Sequence, residues 1–225
     1  MELLRESWTY IRENQERFLE ALTVHIELSV YSLFFAMLIF LPMGVLASRW
    51  RKGGPVLVGS VAAARVVPSI AVLFLLYPYR RQISEIIPFW TTSFTLAFVA
   101  LTLLAGPPLI INADAGLRGV DVFVLESARG LGMNEIQVFF QVQLPLALPV
   151  MIAGIRTAAV ELIASATLAA FIGAGGLGRF ITSGLTLYDF RLLLVGAVPV
   201  TLLALTAEVS LAGLERLVTP PASTT

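Results

Sequence analysis

Long apolar stretches separated by short polar, glycine-rich or proline-rich joints dominate this chain. About 20 apolar residues cross the hydrocarbon of a bilayer, and the pattern predicts five spans, near residues 25–46, 55–78, 86–111, 145–172 and 192–218. The first ends before Arg49-Trp50-Arg51-Lys52-Gly53-Gly54, a tight basic turn, and the second carries Arg65 and Pro68. The third is expected to bend late, at Gly106-Pro107-Pro108. Prolines are tolerated in spanning helices because neighbouring helices and polar side chains satisfy the carbonyls they free. Residues 1–24 are polar, with Arg5, Arg12, Arg17 and five glutamates. Their apolar positions (Leu3, Leu4, Trp8, Ile11, Phe18, Leu22) fit an amphipathic helix lying at the membrane surface. They lack the basic-then-apolar order of a cleavable signal peptide. The expected organisation is therefore an amino-terminal segment over 1–24, a transmembrane domain over 25–218, and a short tail over 219–225.

The polar connector over 112–145 stands out between the third and fourth spans. Asp121 can cap a short helix over 122–129, with Glu126 on its exposed side. Gly130 and Gly132 break that helix, and Asn134 can cap a second one over 135–144, which Pro145 and Pro149 lead into the fourth span. Two short helices joined by a glycine elbow make a compact knob. A long polar connector between spans is where a membrane protein meets a soluble partner.

Composition agrees with the pattern: 57% of the 225 residues are hydrophobic and 13% charged, with a mean hydropathy of +0.87. A soluble globule carries about a quarter charged residues. Cysteine is absent, which excludes a disulfide framework, thiolate metal sites and a Cys nucleophile. A formal charge of zero gives no electrostatic case for nucleic acid.

Glu126-Ser127-Ala128, Gly132 and Val142-Gln143-Leu144-Pro145 resemble, at matching spacing, the EAA signature of importer-type ABC permeases, with Ser127 and Val142 as mild departures. Pro68-Ser69-Ile70-Ala71 and the segments 143–158 and 166–178 resemble the permeases for osmoprotectants such as glycine betaine and choline. Methionine-type permeases share much of the same skeleton. The resemblance implies an all-α, multi-pass membrane protein of the type I importer fold, with about five transmembrane helices and a cytoplasmic coupling helix. It implies coupling to an ATPase through Glu126, Ser127, Ala128, Gly130, Gly132, Leu144 and Pro145. It further implies two ATPase subunits that use ATP and Mg, a second permease copy or paralogue, and a substrate-binding protein outside a bacterial or archaeal cytoplasmic membrane. Orientation follows from the same resemblance, amino terminus out and carboxyl terminus in. Charge does not decide it: six basic residues fall on the connector side and seven on the other.

Arg65, Arg156, Glu161 and Glu208 fall inside the predicted spans, where isolated charges cost several kcal/mol. Counting from the cytoplasmic ends puts Arg65, Arg156 and Glu208 at about 13–15 Å depth. They are expected to form an ion-pair network or to exchange partners as a gate. Thr157, Glu161 and Ser165 recur every four residues and form one polar stripe on the fourth helix. With Pro68, Ser69 and Thr167, this stripe is the candidate translocation path. Osmoprotectant permeases commonly carry an apolar or aromatic residue at the Glu161 position, and a carboxylate there suits a cation. The aromatic positions, among them Tyr77, Tyr79 and Trp90, fit interfacial placement better than a cation–π route.

Other chemistries find no footing. Gly173-x-Gly175-x-x-Gly178 matches the dinucleotide fingerprint, but it follows an apolar helix rather than a strand and reads as a tight turn. The only lysine, Lys52, is not in a phosphate-binding loop, so the energy for transport must come from a partner or an ion gradient. The resemblance implies a transport subunit rather than an enzyme, with ATP hydrolysis in a separate partner. The single histidine, His25, cannot build a metal site and has no Ser–His–acid partners. Two alternatives remain open on sequence grounds: an amino-acid importer permease, for methionine for example, and an ion-coupled carrier or channel independent of an ATPase.

Overall fold

The computed structural model describes residues 2–219, whose regular elements are all helical, with no strand among the described residues. Except for Thr219, the expected tail over 219–225 lies outside them. The helices are α1 (Glu2–Glu13), α2 (Gln15–Arg49), α3 (Gly53–Ala64), α4 (Ser69–Leu76), α5 (Arg80–Ile86), α6 (Thr92–Arg118), α7 (Val122–Gly130), α8 (Glu135–Gln137), α9 (Leu144–Ala166), α10 (Gly178–Leu187) and α11 (Phe190–Val218). Four continuous stretches, Gln15–Arg49, Thr92–Arg118, Glu135–Ile172 and Phe190–Val218, are long and apolar enough to cross a membrane. A fifth crossing requires α3 to be taken together with the stretch Ser69–Ile86, which holds α4 and α5.

The expected second span is therefore not one continuous helix. α3 closes at Ala64, and α4 starts only after Pro68, whose ψ of 135 is extended rather than helical. Pro68 has no N–H to continue the ladder, and its ring disfavours helix at the preceding residue. The helix that holds the first span is longer than the span itself, because α2 begins at Gln15 and continues without interruption across residue 24. At 1.5 Å per residue it runs about 50 Å, beyond the ~30 Å of hydrocarbon. The third span begins at Thr92, since Pro88 and the residues around it interrupt the chain after α5, and it continues through Pro107 and Pro108 to Arg118.

Clustering of contacts divides the chain into two compact units. The first comprises residues 1–35, 67–105 and 159–207. Its core holds Ala21, Leu177, Phe180, Leu192, Val195 and Val200, and Tyr10, Ile11, Phe18 and Leu22 of the amino-terminal helices pack on it. Part of the apolar face expected on the membrane surface is thus spent on protein, while Leu3, Leu4 and Trp8 remain exposed. The glycine-rich segment after the fourth span forms a turn, with Gly173, Gly175 and Gly176 at positive φ. α10 follows it, an element the sequence pattern does not single out. His25 is fully buried in this unit, and its Nε2 donates to the Ile163 carbonyl at 3.1 Å.

The second unit comprises residues 36–66, 106–158 and 208–225. The end of α2, the end of α6 and the start of α9 meet in a core of Ala113, Leu117, Ala147 and Met151. Small residues let the backbones approach, as in membrane helix packing generally: a Cβ on Gly44 would lie 2.5 Å from that of Ala113, and one on Gly116 would lie 3.0 Å from the Ala147 carbonyl oxygen. The polar connector belongs to this unit.

Candidate functional site

The connector forms by local chemistry that its sequence spells out. Asp121 caps α7, its carboxylate accepting from the Phe123 N–H at 2.8 Å. Asn134 and Gln137 form a reciprocal capping box at the start of α8. Between them Gly132 has φ of +86, a left-handed conformation that favours glycine. Nothing lies within 4 Å of the Cβ that Gly132 or Gly130 would carry, so within this chain the elbow demands conformation rather than space.

The second connector helix differs from expectation at its junction with the span. It does not stop before Pro145; Val138–Gln143 winds as a π-helix that runs directly into α9. A proline at 145 has no N–H and its ring crowds the preceding turn, and the wider π turn accommodates this without ending the helix. Connector and fourth span are therefore one continuous rod from Glu135 to Ala166.

The connector has a core of its own, in which Leu125, Ala128 and Val138 are buried and Val120, Met133 and Val142 pack on them. Ala128 faces inward, whereas Glu126 and Ser127 face out. Ser127 spends its hydroxyl on the Phe123 carbonyl at 2.8 Å. Arg129 clamps Glu135 with two hydrogen bonds, at 2.7 and 3.2 Å, across the elbow. On the outer surface Phe123 is 74% exposed, Ile136 71% and Leu131 85%. Exposed apolar surface of this kind, on a polar connector, is the surface that the expectation of a docked partner needs. Leu144 packs into the core beneath, and Pro145 is exposed.

Among the residues expected in the translocation path, Ser69 and Ser165 meet, hydroxyl to hydroxyl, at 3.4 Å. Thr157 and Thr167 donate to the carbonyls of Ala153 and Ala164 in their own helix. Glu161 and Pro68 are exposed. Of the expected charge network, Arg156 and Glu208 come together at 3.5 Å. Glu215, which the sequence reading omits, joins the same guanidinium nitrogen at 3.3 Å. Arg65 closes α3 at the break rather than lying within a continuous helix. Asp189 was also missed; it caps α11 by accepting from the N–H groups of Arg191 and Leu192.

The sequence profile of the binding-protein-dependent transport system inner membrane component family matches residues 28–220. The chain belongs to this family. It is an ABC importer permease: a membrane-embedded, non-enzymatic subunit that works with a separate ATPase and a substrate-binding protein. It is 40% identical over 214 residues to the carnitine transport permease protein OpuCB of Listeria monocytogenes, covering 95% of this chain and 94% of that one. It is 40% identical over 196 residues to the choline transport system permease protein OpuBB of Bacillus subtilis, covering 87% and 86%. The permease chain of the MetNI methionine ABC transporter in an inward-facing conformation has the same fold, with a TM-score of 0.82 over 92% of this chain and 99% of that one, at 23% identity. That likeness concerns fold alone, so it does not favour methionine as cargo. Family membership sets aside the carrier or channel that runs without an ATPase.

Proposed function

We propose that this permease forms the path for an osmoprotectant bearing a quaternary ammonium group, such as carnitine, choline or glycine betaine. The observation that carries the reading is the similarity to carnitine and choline permeases along almost the whole chain. Two permease subunits, copies of this chain or this chain with a paralogue, enclose the path, and two ATPase subunits bind ATP and Mg below them. The binding protein docks outside. The glycine-elbow knob, with Glu126, Ser127, Ala128, Gly130, Gly132, Leu144 and Pro145, sits in a groove of the ATPase and covers Phe123, Leu131 and Ile136. Because the knob continues into α9 through one helical rod, movement of the ATPase displaces the polar stripe directly.

Pro68, Ser69, Thr157, Glu161, Ser165 and Thr167 supply weak contacts to the passing solute. Alternating access requires differential stabilisation of two states rather than a tight central site. Glu161 favours the cationic end of the cargo. The test is uptake of labelled carnitine, choline and glycine betaine into proteoliposomes holding the full complex. ATP-dependent accumulation of at least one is expected. Binding-protein-stimulated ATP hydrolysis with no uptake of any of the three would discard the cargo and keep the machine.

A further inference from the structure

The connector has two feet, the end of α6 and the π-helix before α9, and both are tied by side chains other than those expected to couple to the ATPase. Arg118 is the last residue of α6, three positions before the cap of α7. Its Nε donates to Asp114 Oδ1 at 2.7 Å, and its Nη2 donates to the Ala47 carbonyl at 2.7 Å. Asp114 is 9% exposed and Ala47 fully buried. The guanidinium thus spans two helix ends, α6 and α2, and meets a terminal carbonyl of α2 where the helix dipole favours a cation.

The turn after α2 is shaped around this contact. A Cβ on Gly54 would collide with the Ala47 carbonyl and come within 2.7 Å of Arg118 Nη2. Glycine at 54 therefore leaves the opening through which the arginine reaches. The other foot is held similarly: Gln143 Nε2 donates to the Leu117 carbonyl at 3.0 Å, and Arg49 stacks over the Phe139 ring at 4.3 Å. Lysine at 118 would offer one nitrogen in place of two set apart on a planar fork.

We infer that Arg118, held by Asp114 and seated on the Ala47 carbonyl, is a positioning residue that makes the end of α2 move as one body with the coupling connector. The inference rests on the coupling reading above. When the ATPase displaces the knob, α9 follows because it is the same rod, and α2 follows because Arg118 ties it to α6. Without that tie the connector moves while α2 lags, and ATP is hydrolysed with less transport.

The experiment uses the complete complex in proteoliposomes and measures solute accumulated per ATP hydrolysed. Arg118→Gln and the near-isosteric Asp114→Asn are expected to lower that ratio by roughly threefold to tenfold, while hydrolysis itself stays within about twofold. Spin labels at Lys52→Cys and Val122→Cys, placed in a chain with no native cysteine, read the tie directly. Their separation should hold within about 2 Å between nucleotide-free and ATP-bound states, and shift or broaden in Arg118→Gln. If Arg118→Gln fails to assemble, Asp114→Asn carries both readouts. An unchanged ratio, a proportional fall of uptake and hydrolysis together, or a label separation that changes with ATP in the native background overturns the inference. Gly132→Arg, run in parallel, separates the two ideas. If it too stays coupled, the knob assignment fails; if it alone uncouples, only the tie fails.

Discussion

Gly178 and Gly132 are both glycines, but for different physical reasons that substitutions can separate. A Cβ at 178 would strike the Thr167 carbonyl, which belongs to the 3-10 segment ending the fourth span. Gly178→Ala should therefore destabilise the protein by about 1–3 kcal/mol, the usual cost of overfilling a packed site, read as a lowered thermal midpoint. Gly132 has open space around it and a φ of +86. Gly132→Ala should cost only about 1–2 kcal/mol of left-handed strain and leave the rest of the fold intact. Asp189 gives a residue-scale pH effect. Partial burial alone would raise its pKa, but hydrogen bonds from the Arg191 guanidinium and from the N–H groups of Leu192 and Arg191 outweigh that and hold it below the ordinary carboxylate value. A folded pKa below the unfolded one gives stability that is present above the unfolded pKa and is lost as pH falls through the folded one. Asp189→Asn, which still caps α11, should flatten the acid limb of a plot of thermal midpoint against pH. An unchanged limb would show that the carboxylate contributes nothing there.

At the scale of elements, the π-helix is the feature that most directly joins knob to span. A π turn carries one residue more than an α turn, whereas deleting a residue from the regular helix beyond it rotates what precedes by about 100°. Deleting the exposed Val150 of α9 should turn Asn134 and the elbow away from their present direction. The expected outcome is loss of binding-protein-stimulated ATP hydrolysis with the permease still inserted in the membrane, measured after affinity purification of the complex. The short connector helices were legible in the sequence because their ends are fixed by adjacent residues: Asp121, Asn134 with Gln137, and the two glycines. The break at Pro68 was not, because proline is tolerated within spanning helices and its presence alone does not separate a kink from an interruption. That one helix runs on across residue 24 was not legible either, since a change from polar to apolar composition carries no backbone signal to stop a helix. α10 escaped notice because its ten residues lie directly after a glycine cluster that reads as turn. The seat of Arg118 on Ala47 joins residues 71 positions apart, and no local pattern announces such a contact.

At the scale of the molecule, Arg156 is placed to hold the fourth and fifth spans in register. One guanidinium faces two carboxylates of α11, Glu208 and Glu215, at 3.5 and 3.3 Å, and all three side chains are only partly exposed. Their unequal numbers make the cation the decisive member. Arg156→Gln leaves two carboxylates near each other without their counter-charge, whereas Glu208→Gln leaves a complete pair of Arg156 with Glu215. Removing one partner of a fully buried pair costs 3–5 kcal/mol, and partial exposure reduces this to roughly 1–3 kcal/mol for Arg156→Gln, with less for Glu208→Gln. Adding Glu215→Gln to the Arg156→Gln chain should restore part of the loss, because it relieves the repulsion and removes a carboxylate left without its cation. Thermal unfolding of the assembled permease in lipid nanodiscs measures all four states of the Arg156–Glu215 cycle. A coupling energy of about 0.5–3 kcal/mol is expected between contacting groups. Strictly additive losses would mean that the three charges are held by water and lipid headgroups rather than by one another, and the register of the two spans would then rest on apolar packing alone.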